Sequence, residues 1–130
     1  MEKLVIIDSC MRPESRTRRI LDAAKEVLSS RYDIESIDVN EVALLPLTPQ
    51  SLAERSSGIV PKATVALARK IAAADRIIIA APFWDMSFPS ALKAFFENFR
   101  NSEYISERNV LHTIQNSFCD KDTKCWSKHI

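Results

Sequence analysis

Glycine is almost absent from this chain, since Gly58 is the single glycine among 130 residues. Glycine-rich phosphate-binding loops need several glycines at fixed spacing, because the backbone has to turn sharply and approach the phosphate closely. The sequence therefore excludes both the G-x-G-x-x-G loop and the G-x-x-x-x-G-K-[ST] loop. Any phosphate site in this protein has to use hydroxyl groups, other main-chain amides and arginines.

Excess charge of one sign, long apolar runs and a cysteine framework are also missing. The formal net charge of +1 gives no global attraction to nucleic acid or to an acidic membrane surface. The longest apolar run is far shorter than the ~20 residues that cross a bilayer, and we see no signal peptide. An odd count of three cysteines suits a reducing compartment. We expect a cytoplasmic protein without nucleic-acid or membrane partners.

The order of the predicted elements indicates one α/β domain. Apolar runs predict strands at residues 3–8, 33–39, 76–81 and 109–115. Apolar residues spaced three or four apart predict helices at residues 16–31, 61–74 and 89–100. Residues 40–60 have no clear period and are predicted to be a long loop. Alternation of this kind predicts a parallel sheet with helices on both faces.

The first candidate site lies between the first strand and the first helix. A helix N-terminus offers free N–H groups and a positive dipole end to an anion. Hydroxyl groups and arginines suited to phosphate occupy the same segment: Ser9, Ser15 and Thr17, with Arg12, Arg16, Arg18 and Arg19. A plainer interpretation also stands, in which Ser15 only caps the helix and the arginines form a solvated face.

The first helix is predicted to bury an apolar face made by Ile20, Ala23, Ala24, Val27 and Leu28.

Cys10 precedes the first helix. A thiol at a helix N-terminus can have a lowered pKa, but we expect Cys10 to be a buried small residue. The spacing of Cys119, Cys125 and His129 matches no common zinc site, so no metal is expected.

The second candidate site follows the third strand. Pro82 ends that strand, and Phe83, Trp84 and Met86 follow in a loop. Parallel strands all end at one edge of the sheet, where α/β proteins usually bind ligands. The two loops together therefore predict a ligand with a phosphate at one end and a flat ring at the other. Aromatic residues more often serve as core or dimer contacts, and the residues alone leave both interpretations open.

The segment IIIAAPFWDMSFPSALK, residues 77–93, resembles the hallmark segment of the FMN-dependent NADH:quinone reductase and azoreductase family. That pattern is an apolar strand ending in Ala-Pro, an aromatic-Asn-aromatic loop, and a helix that opens with a small residue followed by Leu-Lys. The resemblance covers roughly residues 3–116. It implies a flavodoxin-like three-layer α/β/α domain at residues 1–117, with four parallel strands and the fifth missing, followed by an irregular tail at 118–130.

The same resemblance implies an FMN-binding oxidoreductase that works as a homodimer. It transfers hydride from NAD(P)H through the flavin to a small quinone- or azo-type acceptor. The implied phosphate contacts are Ser9, Ser15, Arg16 and Thr17. The other implied cofactor contacts, mainly to the flavin ring, are Pro82, Phe83, Trp84, Asp85, Met86 and Asn116. No catalytic acid–base pair is expected, because the flavin carries the chemistry.

Three features depart from the family pattern. Asp85 stands where the family usually has Asn, and a carboxylate near the ring would disfavour reduced, anionic flavin. No glycine follows the predicted fourth strand, and the chain is shorter than the ~200 residues usual for this single domain. A second hypothesis follows from them. In it, the chain is a shortened, non-catalytic flavodoxin-like relative that acts as a binding or regulatory dimer.

Overall fold

A computed structural model of the chain describes residues 1–42 and 44–100, with the side chain of Arg100 excepted. These residues form the strands β1 (Glu2–Asp8), β2 (Tyr32–Asp38) and β3 (Arg76–Ala80). They also form the helices α1 (Arg16–Leu28), α2 (Val39–Val42), α3 (Pro49–Ser56), α4 (Lys62–Ala72) and α5 (Ser90–Arg100). The predicted strand at 109–115, Asn116 and the boundary between residues 117 and 118 lie outside the described residues.

The three described strands form the predicted parallel sheet, and their order is β2-β1-β3. This is the beginning of the flavodoxin-like order 2-1-3-4-5. Asp8 at the end of β1 pairs with Asp38 on one side and Ala80 on the other. All three strands therefore end at the same level. The loops that follow β1 and β3 leave the sheet side by side.

Alternate residues of β1 are buried in two separate clusters, one on each face of the sheet. Val5 and Ile7 pack into a cluster with residues of β2, α4 and α5. Leu4 and Ile6 pack on the other face with Leu21 of α1. Because successive side chains of a strand point to opposite faces, an unbroken apolar run needs cover on both. The predicted three-layer α/β/α arrangement is therefore confirmed.

The predicted buried face of α1 was partly wrong. Three residues of that face are exposed instead: Ile20, Ala23 and Val27. Ile20 and Val27 are 72% and 73% exposed, whereas Leu21 is buried against β1. Arg18, one turn before Leu21, bonds to Asp8 at the end of β1, and this contact holds the Leu21 side of the helix against the sheet. The spacing of the apolar residues fits both neighbouring stripes of α1, so it did not show which stripe faces the sheet.

The prediction of an irregular loop at residues 40–60 was also wrong, because α2 and α3 lie within it. Thr48 caps α3 and Pro49 occupies its first turn, which are strong helix-start signals. Arg55 is the one buried residue of α3. The helix therefore has no apolar face, and its sequence shows no hydrophobic period.

The helix α4 was predicted at residues 61–74 with Pro61 in its first turn, and the structure places Pro61 at the N-cap. The apolar spacing of this helix predicts Val65, Leu67, Ala68 and Ile71 as its buried residues; Ala68 and Ile71 are buried, and Val65 and Leu67 are half-buried. Within the described residues, none of the helices combines the length and apolar character needed to span a bilayer.

Thr64, in the first turn of α4, gives a test of the packing. Its hydroxyl is buried and has no hydrogen-bond partner among the described residues. Replacing Thr64 by the isosteric Val removes an unsatisfied polar group, so we expect the free energy of unfolding to stay the same or to rise by about 1 kcal/mol. Urea denaturation measures this. As a control, Thr64→Ala also loses a methyl group and should be less stable than Thr64→Val by about 1 kcal/mol. A Thr64→Val variant less stable than Thr64→Ala would contradict the assignment.

Candidate functional site

Ser9 ties the loop after β1 to the end of β3. Its main-chain N–H donates to the carbonyl oxygen of Ala80 at 3.0 Å, and its hydroxyl Oγ donates to the same oxygen at 2.7 Å. Ser9 is fully buried. The structure thus places this predicted phosphate contact at the base of the two loops, with its hydroxyl proton engaged in holding them together.

Asp8, at the end of β1, holds the turn that follows it. Its carboxylate accepts hydrogen bonds from the Cys10 main-chain N–H at 2.9 Å and from Arg18 Nε at 3.3 Å. Burial acts to raise the pKa of Asp8, but the bonds from Cys10 and the charge of Arg18 outweigh it and leave this pKa below its ordinary value. Asp8 therefore carries its negative charge within the loop.

Arg18 organises the rest of the same loop. Its Nη2 donates to the Cys10 carbonyl oxygen at 2.7 Å, and the side chain of Asn40 donates to that oxygen at 3.2 Å. Ser15 caps α1 as predicted, accepting a hydrogen bond from the Arg18 main-chain N–H at 3.3 Å. Arg18 is thus a structural residue directed toward the loop.

Cys10 is buried, as expected. Burial raises the pKa of its thiol, although a hydrogen bond with Ser15 acts in the opposite direction. A protonated thiol is a weak nucleophile. In the part of the chain that the structure describes, no group of three or more His, Cys, Asp or Glu side chains is placed to hold a metal ion.

Arg16 and Thr17 occupy the first two positions of α1. Arg16 is exposed and Thr17 is half-buried. Main-chain N–H groups at these positions have no acceptor within their own helix, so they are available to an anion. The helix N-terminus therefore keeps the features that predicted a phosphate site.

Arg12 connects this loop to the aromatic one. Its guanidinium carbon lies 5.6 Å from the centroid of the Trp84 ring, which is within cation–π range. In the sequence, Arg12 is one of four arginines that supply charge to this segment. Nothing in the spacing singled it out, because the contact joins residues 72 positions apart.

The aromatic loop contains a tight two-residue turn from Trp84 to Ser87. The main-chain N–H and carbonyl groups of these two residues bond each other at 2.7 and 2.8 Å. Asp85 and Met86 between them have φ values of 46° and 63°. Positive φ at both central residues defines a type I′ turn, and the left-handed region is strained for a residue such as Met86. Such strain is often found at functional sites.

The turn leaves large apolar side chains at the surface of the described chain. Phe83 is 73% exposed and Met86 is 84% exposed. These two residues are therefore not part of the described core, which removes the core interpretation for them. A contact to a ligand or to a second copy of the chain remains. Pro82 and Trp84 are half-buried and support the turn.

Two cavities flank Trp84. The first, here called the ring cavity, measures about 400 Å³ and is lined by Arg12, Phe83, Trp84 and Asp85. The second, here called the Pro46 groove, measures about 520 Å³. Pro46, the turn and α5 line this groove: Pro46, Trp84, Asp85, Ser87, Phe88, Pro89, Ser90, Lys93, Ala94 and Glu97. The ring cavity thus places a cation and two aromatic rings beside the N-terminal loop of α1.

Comparison with known proteins identifies relatives of this arrangement. The profile of the family described as NADPH-dependent FMN reductase matches residues 2–113. The FMN-dependent NADH:quinone oxidoreductase 2 of Clostridium acetobutylicum is 31% identical over 109 residues, which cover 75% of this chain and 52% of that protein. The chain therefore spans about half the length of that curated relative.

Solved structures show the same fold. The NAD(P)H:quinone oxidoreductase from Methanothermobacter marburgensis has a TM-score of 0.66 and 20% identity, covering 75% of this chain and 52% of that one. The azoreductase from Bacillus anthracis str. Sterne has a TM-score of 0.61 and 16% identity, covering 80% of this chain and 58% of that one.

The Asp8–Arg18 contact predicts how stability depends on pH. Because the pKa of Asp8 is lowered in the folded state, its stabilising contribution is complete above the ordinary value of 3.8 and is lost as the pH falls through the lower folded value. Arg18→Met should reduce the free energy of unfolding at pH 7 by about 2 kcal/mol, since it removes a charged hydrogen-bond partner. It should also move acid unfolding to higher pH. Arg19→Met, at an exposed neighbour, is the control, and an equal acid shift in both variants would contradict the assignment.

Proposed function

This chain belongs to the NADPH-dependent FMN reductase family, and we propose on that basis that it binds FMN and transfers electrons from NAD(P)H to a small quinone- or azo-type acceptor. The family resemblance of residues 77–93 is thereby confirmed. The relatives named as quinone oxidoreductases and as an azoreductase support this acceptor class. They favour an enzyme over a non-catalytic relative.

The observation that carries the proposal is the contact of Arg12 with Trp84, which joins the two candidate sites. A phosphate would lie at the N-terminus of α1, near Ser15, Arg16 and Thr17, where the free N–H groups and the helix dipole favour an anion. For Ser9 we propose that its contribution is to hold the loops together through Ala80. The phosphate end thus uses no glycine.

The flavin ring would occupy the ring cavity between the two loops. This open surface is lined by Arg12, Phe83, Trp84 and Asp85, so a ring bound there would be enclosed only in part. Phe83, Trp84, Asp85 and Met86 supply apolar surface and main-chain groups at its edge. When bound, FMN supplies the redox chemistry by accepting hydride and passing electrons on. The residues of this chain would bind the flavin and orient its ring.

We also propose that the protein is a cytoplasmic homodimer. Phe83 and Met86 are exposed, and Phe88 near them is 39% exposed. All three belong to the segment of the aromatic turn, residues 83–88. Exposed apolar patches mark ligand sites or protein interfaces. A second copy of the chain would cover these three side chains.

FMN binding is the first test of this function. Added to the purified full chain, FMN should lose fluorescence and shift its absorption bands as the ring enters an apolar site. Trp84→Ala should weaken binding by about tenfold or more, because stacking on an aromatic ring is worth ~1–3 kcal/mol for each base-like ring. A wild-type protein that leaves both signals unchanged at saturating FMN would overturn the proposal.

The phosphate end is tested by comparing FMN with riboflavin, which lacks the phosphate. The double variant Ser15→Ala with Arg16→Ala should weaken FMN binding by about tenfold through loss of charge-assisted contacts, while riboflavin binding changes little. Arg19→Ala, one turn further along α1, is the matched control. Equal loss for both ligands would rule out a phosphate role for Ser15 and Arg16. Circular dichroism checks that α1 keeps its helix without the Ser15 cap.

A further inference from the structure

Arg55 in α3 is a buried arginine. It is 4% exposed, and no carboxylate pairs with it among residues 1–42 and 44–100. Its guanidinium donates to the main-chain oxygen of Asn98 and, through Nη2, to Asn98 Oδ1 at 2.6 Å. Burial lowers the pKa of Arg55. A buried cation is costly unless its donors are satisfied, so Asn98 is the contact that keeps Arg55 in this position.

Asn98 also bonds the backbone of two further segments, α5 and residues 44–48. It lies in α5, and its main-chain carbonyl accepts a hydrogen bond from Arg55. Its side-chain Nδ2 donates to the Ala94 carbonyl at 2.7 Å and to the Leu45 carbonyl at 2.8 Å. Every polar atom of the Asn98 side chain is therefore used, and α3, α5 and residues 44–48 meet at this one residue.

The bond to Leu45 matters for the Pro46 groove. Leu45 is 78% exposed, so its side chain does little to fix the backbone there. Pro46 follows it and has no N–H group to donate. Leu44 packs against the core and Thr48 bonds Ser51 of α3, and between these two points the Asn98 amide holds the backbone at Leu45. Pro46 is the one residue of this segment that lines the groove.

The groove has the chemistry of a site for a flat apolar ring. Pro46, Trp84, Phe88 and Pro89 give it mainly apolar walls. Lys93 pairs with Glu97 at 3.3 Å, so these two charges offset each other, and Asp85 adds one further carboxylate to the lining. The groove shares Trp84 and Asp85 with the ring cavity. A ligand in the groove would therefore lie next to the proposed flavin.

We infer that Arg55 is a positioning residue for the electron acceptor: through Asn98 it holds Leu45 and Pro46 as one wall of the groove that receives the flat, apolar acceptor ring. This inference rests on the proposed function. Arg55 does not touch the acceptor. It acts by fixing the distance between Pro46 and Trp84.

The position of the wall is tested without any cofactor. In a Trp126→Phe background Trp84 is the single tryptophan, so acrylamide quenching reports its exposure. Arg55→Met should raise the quenching constant of Trp84 about twofold, because the wall loses its anchor and moves as a low-stability segment. Arg55→Lys, which keeps the charge but cannot make the forked contact, should fall between Arg55→Met and wild type.

Two further variants separate positioning from general destabilisation. Leu21→Ala removes core packing on the opposite face of the sheet and should cost ~2–5 kcal/mol of stability, with Trp84 quenching unchanged. Asn98→Asp keeps an oxygen partner for Arg55 but loses the donor to Leu45, so it should match Arg55→Met in quenching. If Arg55→Met does not fold, Asn98→Asp takes its place in the comparison with wild type. Equal quenching in Leu21→Ala and Arg55→Met, or no change in Asn98→Asp, would overturn the inference.

The acceptor is tested on FMN-loaded protein. Arg55→Met should raise the KM for a neutral benzoquinone by about tenfold, which is the change expected when an interaction with the bound substrate is lost. The rate at which NAD(P)H reduces the bound flavin should stay within about twofold of wild type. If Arg55→Met slowed flavin reduction by NAD(P)H as much as electron transfer to the benzoquinone, a role of Arg55 confined to the acceptor would be excluded. If the wild-type protein does not take up FMN, the proposed function is rejected. The quenching experiment would still show whether Arg55 holds Leu45 and Pro46 in place.

Discussion

The parallel pairing of β1 with β2 on one edge and with β3 on the other brings Asp8, Asp38 and Ala80 to the same level. Everything proposed for the site depends on this register. A shift of one residue would turn Val5 and Ile7 to the opposite face and separate the two loops. The bonds of Ser9 to Ala80 fix the loops at their base. Arg12 can reach Trp84 only because both loops begin at the same edge.

The arginines before and within α1 have separate tasks that follow from their environments. Arg18 faces the loop and is neutralised by Asp8, whose own charge is stabilised by that contact. Arg16 faces outward at the helix N-terminus, and Arg12 lies over an aromatic ring. A cluster of four arginines that looks uniform in the sequence thus separates into one structural cation, two that are available to a ligand, and Arg19, which is exposed on α1.

The scarcity of glycine has visible consequences at the aromatic turn. A type I′ turn is usually made by Asn-Gly, because glycine adopts positive φ without strain. Here Asp85 and Met86 adopt that conformation, and the rigid contact between Trp84 and Ser87 holds them there. The positive φ angles cost backbone energy at these two residues only. The turn that they form leaves the side chains of Phe83 and Met86 facing solvent. The buried Arg55 is a second local cost, balanced by its bonds to Asn98.

Local patterns in the sequence were enough to predict the α/β class, the parallel sheet, the Ser15 cap and the family. An apolar run such as residues 4–7 has to be buried on two faces, and Ala-Pro has to end a strand. Tertiary structure alone decided which stripe of α1 faces the sheet, that Ser9 bonds Ala80, and that Arg55 reaches Asn98. Those contacts join residues 10 to 71 positions apart in the chain. Only the packed sheet and helices bring such pairs within hydrogen-bond distance, so no local pattern could reveal them.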